Sequence, residues 1–129
     1  MNPPLNAKAF TLLEIIIVLI VLGAVAALAL PRYDTTVEKL RSKEGANLLP
    51  AVLAAQKRYQ LDNGTLATDI SQLDITFPAI EYFNTPQIVV TGGGATIQRN
   101  GAAPKNYTLQ ITANGVISCT GSLCSKLGY

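Results

Sequence analysis

Histidine and tryptophan are absent from this chain, cysteine occurs twice, and charged residues make up only 14% of the sequence. Each scarcity excludes something. Without histidine, the commonest general base and the commonest metal ligand are missing. A structural zinc site needs about four ligands, and Cys119 and Cys124 alone fall short of that. No serine stands in a nucleophile-elbow setting. Asp69 and Asp74, with Glu81 beyond, match no calcium-loop spacing and read as solvated surface acids. Catalytic residues, cofactors and metals are therefore assigned nowhere, and the chain is expected not to be an enzyme. A formal net charge of +2 gives no ground for nucleic acid as a main partner. Tyr59, Phe77, Tyr82, Phe83, Tyr107 and Tyr129 are scattered, without the clustered basic residues that a stacking platform for single strands needs.

What the chain does have is a long apolar run, Phe10 to Pro31, in which Leu12 to Leu30 holds Glu14 and otherwise nothing more polar than glycine. A helix of that length rises about 30 Å, the thickness of a bilayer's hydrocarbon core. An ionisable group inside such a segment costs about 2.5–3.5 kcal/mol at the helix centre. Glu14 thus asks for a compensating charge, and no other residue of the segment supplies one.

The residues around Glu14 lead to a family. Lys8-Ala9-Phe10-Thr11-Leu12-Leu13-Glu14, followed by the apolar run and Pro31, resembles the N-terminus of type IV pilins and their pseudopilin relatives. The resemblance implies a leader of residues 1–9, cut between Ala9 and Phe10 by a prepilin peptidase, with N-methylation of the new amine on Phe10. It makes Glu14 the fifth residue after the cut, paired with the Phe10 amine of a neighbouring subunit to set the register of assembly. Two opposite charges attract strongly where water is absent. Ala9 departs from the family's usual glycine; alanine is the next smallest side chain, so processing is expected to survive. The partners implied are further copies of the chain, the prepilin peptidase, an inner-membrane assembly platform with its ATPase, minor pilins, and the membrane before assembly. The implied product is a type IV pilus serving motility, adhesion or DNA uptake. The alternative is a type II secretion pseudopilin. Against it stand Leu66-Ala67-Thr68 after the Leu61-Asp62-Asn63-Gly64 turn, the absence of tryptophan, and the cysteine pair.

Two features pull the other way. Ala24-Val25-Ala26 and Ala27-Leu28-Ala29 offer small-x-small patterns for an ordinary signal peptidase, although Glu14 would then sit within the apolar core of the signal. Lys8 is the basic side chain before the span, whereas Arg32, Lys39, Arg41 and Lys43 follow it, so the positive-inside rule alone places the C-terminal part in the cytoplasm. An even cysteine count beside a membrane-crossing segment instead reads as a disulfide, Cys119 to Cys124, in an oxidising compartment. The disulfide and the resemblance together favour a periplasmic head with a cytoplasmic leader, and later an extracellular filament.

The expected fold is α+β. Residues 10–31 form a membrane and polymerisation helix, 32–62 an amphipathic helix, and 63–129 a head with a small antiparallel sheet packed on the helix's C-terminal half. Tyr33, Val37, Leu40, Leu48, Val52, Ala55 and Tyr59 mark the apolar stripe, with Arg32, Glu38, Arg41, Lys57 and Arg58 facing elsewhere. Asp62-Asn63-Gly64 is the stop. Pro31 is the family's kinking proline, and Pro50 predicts either a second kink or a break into two helices. Asp69 to Leu73 reads as one helical turn capped by Thr68. Strands are expected over Gln87–Thr91, Ala95–Arg99, Tyr107–Ala113 and Gly115–Cys119, with Gly92-Gly93-Gly94 a hairpin connection and Asn114-Gly115 a two-residue hairpin turn. Asn63-Gly64-Thr65 and Asn106-Tyr107-Thr108 fit a glycosylation pattern that is common by chance.

Overall fold

A computed structural model describes residues 10–78 and 80–129. The leader and Ala9 lie outside the described residues. In chain order the elements are helix α1 (Leu12–Asn63), a 3-10 turn (Ile70–Gln72), strands β1 (Gln87–Val89), β2 (Gly94–Gln98), β3 (Thr108–Ile111) and β4 (Ile117–Thr120), and helix α2 (Cys124–Leu127). Contacts divide the chain into two units between Asp34 and Thr35. Helix α1 contributes to both and is unbroken at Pro31 and at Pro50, so two helices joined by a turn at Pro50 are not formed. It ends where the sequence predicts: Gly64 takes the left-handed conformation (φ 74°), and the Asn63 side-chain amide donates to Tyr59 O at 3.0 Å.

In the second unit a four-stranded antiparallel meander, ordered β1-β2-β3-β4, packs on the C-terminal half of α1. Register builds its inner face. Ile88, Ala95, Ile111 and Ile117 form one cross-strand row, and Ile97, Leu109 and Cys119 form the next. Ala95, Ile97, Leu109 and Ile111 meet Leu49, Val52 and Leu53 of the helix in a common buried core. Each large apolar side chain so buried contributes about 1.5–3 kcal/mol.

The helix face that receives the sheet keeps the lower part of the predicted stripe, with Val52 and Ala55 buried and Leu48 and Tyr59 packed against the core, and departs from it higher up. It runs through Glu38, Ser42, Gly45, Ala46, Leu49, Val52, Leu53 and Gln56, while Tyr33 and Leu40 are 71% and 64% exposed. Glu38, expected to face outward, is fully buried. The reason is that the first turns of the face are small or polar and so carry no hydrophobic signal. Gly45 shows why small size is needed: a Cβ there would lie 2.7 Å from the ring of the buried Phe83. The ring then meets Tyr107 edge-on, with centroids 6.2 Å apart.

Local corrections concern caps and turns. The 3-10 turn is capped by Asp69 rather than Thr68. The Asp69 carboxylate accepts from the Ser71 N–H at 2.8 Å, and Gln72 Oε1 accepts in return from the Asp69 N–H at 3.1 Å. The last hairpin closes over three residues, not two. Gly115 N–H donates to Thr112 O, and Thr112 N–H donates to Val116 O. Only Gly115 has positive φ there (84°), which suits a type I turn followed by a bulge rather than a type I′ turn. Strand β3 accordingly stops at Ile111, leaving Ala113 exposed. Of the predicted Gly92-Gly93-Gly94 connection, Gly92 and Gly93 form the turn with positive φ, whereas Gly94 is already the first residue of β2, paired with Val89.

Candidate functional site

Every residue from Phe10 to Leu30 is exposed, although most are leucine, isoleucine, valine or alanine. A helix that is apolar all round needs lipid or other helices about it. This one is long and apolar enough to cross a membrane. Its start is set by Thr11, whose hydroxyl accepts from the Glu14 N–H at 3.3 Å. Glu14 is therefore in the first helical turn, where the helix dipole favours an anion, and it is exposed. Phe10 precedes the helix and is 75% exposed. Phe10 and Glu14 thus share one end of the apolar segment, open to a neighbour, while Pro31 and Pro50 lie within α1.

The predicted disulfide is formed between Cys119 and Cys124, with Cα atoms 5.6 Å apart. It joins β4 to α2, whose Leu127 enters the core. Among the described residues there is no cluster of three or more His, Cys, Asp or Glu suited to a metal ion. Asp69 is used as a cap. Asp74 forms a two-point salt bridge with Arg58, Arg58 Nε donating to Oδ2 at 3.1 Å and Nη2 to Oδ1 at 2.8 Å. That hydrogen bond holds the Asp74 carboxyl below its ordinary range.

A polar cluster that the sequence did not reveal fastens the head to α1. Arg99, at the end of β2, donates from Nε to Glu38 Oε1 at 2.7 Å and from Nη2 to Oε2 at 3.3 Å. The Tyr107 hydroxyl adds a third hydrogen bond to Oε1 at 3.1 Å. Arg99 Nη1 serves the carbonyls of Tyr82 and Asn100, at 2.9 and 2.7 Å. Arg41 covers the Tyr82 ring at 4.1 Å from its centroid and reaches Glu38 Oε2 at 3.5 Å. Burial pushes the Glu38 carboxyl upward, but the hydrogen bond and charge of Arg99, with Tyr107 and Arg41, outweigh it and leave Glu38 below its ordinary range. Burial, followed by the Glu38 charge, pushes the Tyr107 hydroxyl well up. Glu38 is therefore an anion held by cations, and its role is positional. Apolar replacements of similar volume often match or exceed the stability of such a buried pair, whereas breaking it from one side is costly. Spacing on the buried face, Glu38 to Ser42 to Gly45, was the signal available in the sequence, but reading it requires knowing that small residues there are packed.

No protein-family model matches this chain. A known protein does: it is 32% identical over 118 residues to fimbrial protein EcpC of Eikenella corrodens, the match covering 83% of this chain and 76% of that protein. Similarity of this extent, in a chain with one long N-terminal helix and an antiparallel sheet packed on it, is that of a shared family. The chain belongs to the fimbrial proteins.

Proposed function

We propose that this chain is a structural subunit of a type IV pilus, polymerising through the helix from Leu12 to Leu30. The observation that carries the reading is an entirely exposed apolar segment with one carboxylate, Glu14, four residues beyond Phe10. In lipid the segment is satisfied as a membrane span; in a filament it exchanges lipid for the same segment of other copies. Prepilin peptidase cleaves between Ala9 and Phe10, and the Phe10 amine, once methylated, retains its positive charge. Glu14 of one subunit neutralises the Phe10 amine of the next, which removes the cost of burying either and selects one axial register. Pro31 and Pro50 lack the N–H that an α-helix uses, so they are the places where α1 bends most readily as subunits pack. An inner-membrane platform and its ATPase extract the subunits, minor pilins complete the filament, and the heads form its outer surface.

The test is Glu14→Leu, which keeps the apolar helix and removes the charge. Leader cleavage is expected to continue while this chain disappears from the filament fraction sheared from cells. Normal filaments from that variant would refute the register mechanism.

A further inference from the structure

The chain contains three Asn-Gly pairs, Asn63-Gly64, Asn100-Gly101 and Asn114-Gly115. Such pairs are prone to deamidation because glycine leaves its own nitrogen unhindered for attack on the asparagine amide. Since the following residue is glycine in each case, their intrinsic reactivities are alike, and the fold must decide among them. Gly64 N–H is held by Gln60 O and Gly115 N–H by Thr112 O, both at 2.9 Å. Each must give up its hydrogen bond before its nitrogen can react. Gly101 N–H has no partner among the described residues. The Asn100 side chain likewise has no hydrogen bond among the described residues, whereas that of Asn63 donates to Tyr59 O.

A second observation concerns the Asn100–Gly101 peptide group. Its carbonyl oxygen accepts the 2.7 Å hydrogen bond from Arg99 Nη1. A cationic donor on an amide oxygen draws electron density from the amide nitrogen and makes its N–H more acidic. The same Nη1 lies 3.7 Å from where a Gly101 Cβ would stand, so a cationic group adjoins this peptide unit. Asn100 and Gly101 are both exposed, so water reaches them.

We propose that Asn100 is the site at which this protein deamidates, selected from the three pairs by the free Gly101 N–H and by Arg99. Hydroxide takes the Gly101 amide proton, and the nitrogen bonds to Asn100 Cγ. The Cγ–Nδ2 bond breaks, releasing ammonia that carries a proton from water. Water then opens the cyclic imide at either carbonyl, giving aspartate or isoaspartate, so the net change is water consumed and ammonia lost. The product alters the clasp described above. In isoaspartate the main chain runs through Cβ and Cγ, one atom longer between the Asn100 N–H, bound to Tyr82 O at 2.8 Å, and Gly101, and the carbonyl that Arg99 binds becomes the free carboxylate. Its new carboxylate also stands beside the guanidinium that neutralises Glu38.

The full chain, purified in detergent with its disulfide intact, is incubated at mildly alkaline pH and followed by peptide mapping with mass spectrometry. Asn100 is expected to convert severalfold faster than Asn63 or Asn114. After reduction and unfolding in guanidinium chloride, the three rates should converge. Equal conversion at Asn63 or Asn114 in the folded protein would overturn the proposal. So would the same ranking in the unfolded chain, which would trace the preference to local sequence instead of the fold.

Discussion

Glu38 meets Arg99 across 61 residues of chain, and both side chains are almost wholly removed from water. Removing one member of such a pair strands the other, at a cost of about 3–5 kcal/mol. Glu38→Ala and Arg99→Ala should each lower the thermal midpoint strongly, whereas the double replacement Glu38→Leu with Arg99→Met should recover much of the loss. The pair also sets a pH dependence. Because the folded-state value of Glu38 is depressed, its stabilisation is complete above the unfolded value of about 4.3 and is lost as pH falls through the lower folded value. Thermal melts between neutral and acid pH should show that loss in the native chain and much less of it in Glu38→Gln. Gly45 is a second residue where chemistry is decided by contact. Alanine in a helix interior is worth up to about 1 kcal/mol over glycine, but a Cβ here strikes the buried Phe83 ring, and overpacking costs about 1–3 kcal/mol. Gly45→Ala should therefore destabilise; a raised thermal midpoint would mean that the ring yields freely.

At the scale of elements, α1 is one helix by hydrogen bonding and two by surface. From Leu12 to Leu30 it is exposed on every side and, Glu14 apart, apolar, and from Glu38 to Gln56 it is buried along one face. At the other end of the chain, α2 is a four-residue helix that contributes Cys124 and Leu127 to the core. So short a helix has little stability of its own, and the Cys119–Cys124 disulfide anchors it to β4. On the loop-entropy model such a small ring is worth roughly 2 kcal/mol. Cys119→Ser with Cys124→Ser should lower the thermal midpoint, with amide exchange rising first in Cys124–Leu127. Uniform loss of protection throughout the sheet would show that the bond supports the whole head.

For the whole molecule, the proposed membrane span carries a direction. Arg32, Lys39, Arg41 and Lys43 follow the apolar segment and by charge alone would keep the head in the cytoplasm. Arg41 is occupied with Glu38 and the Tyr82 ring, so its charge serves the folded head. The disulfide needs an oxidising compartment. The head is accordingly expected to be digested by protease added to spheroplasts; full protection would reverse the orientation.

The sequence by itself determined the elements whose signal is local. Nineteen residues with one charge form an apolar helix, Asn63-Gly64 stops the helix that continues from it, and the alternation Tyr107, Leu109, Ile111 sets the inward face of β3. Where local chemistry offered near-equal choices, the prediction slipped by a residue, as at Asp69 against Thr68 and in the hairpin at Asn114-Gly115. Tertiary structure alone decided the upper face of the helix. Glu38 reads as a surface acid in any window of neighbours, and it is buried because Arg99 and Tyr107, the residues just after β2 and just before β3, arrive from more than sixty residues away. Hydrophobic periodicity cannot report a face built from glutamate, serine and glycine, since what packs it is the partner rather than the residues themselves.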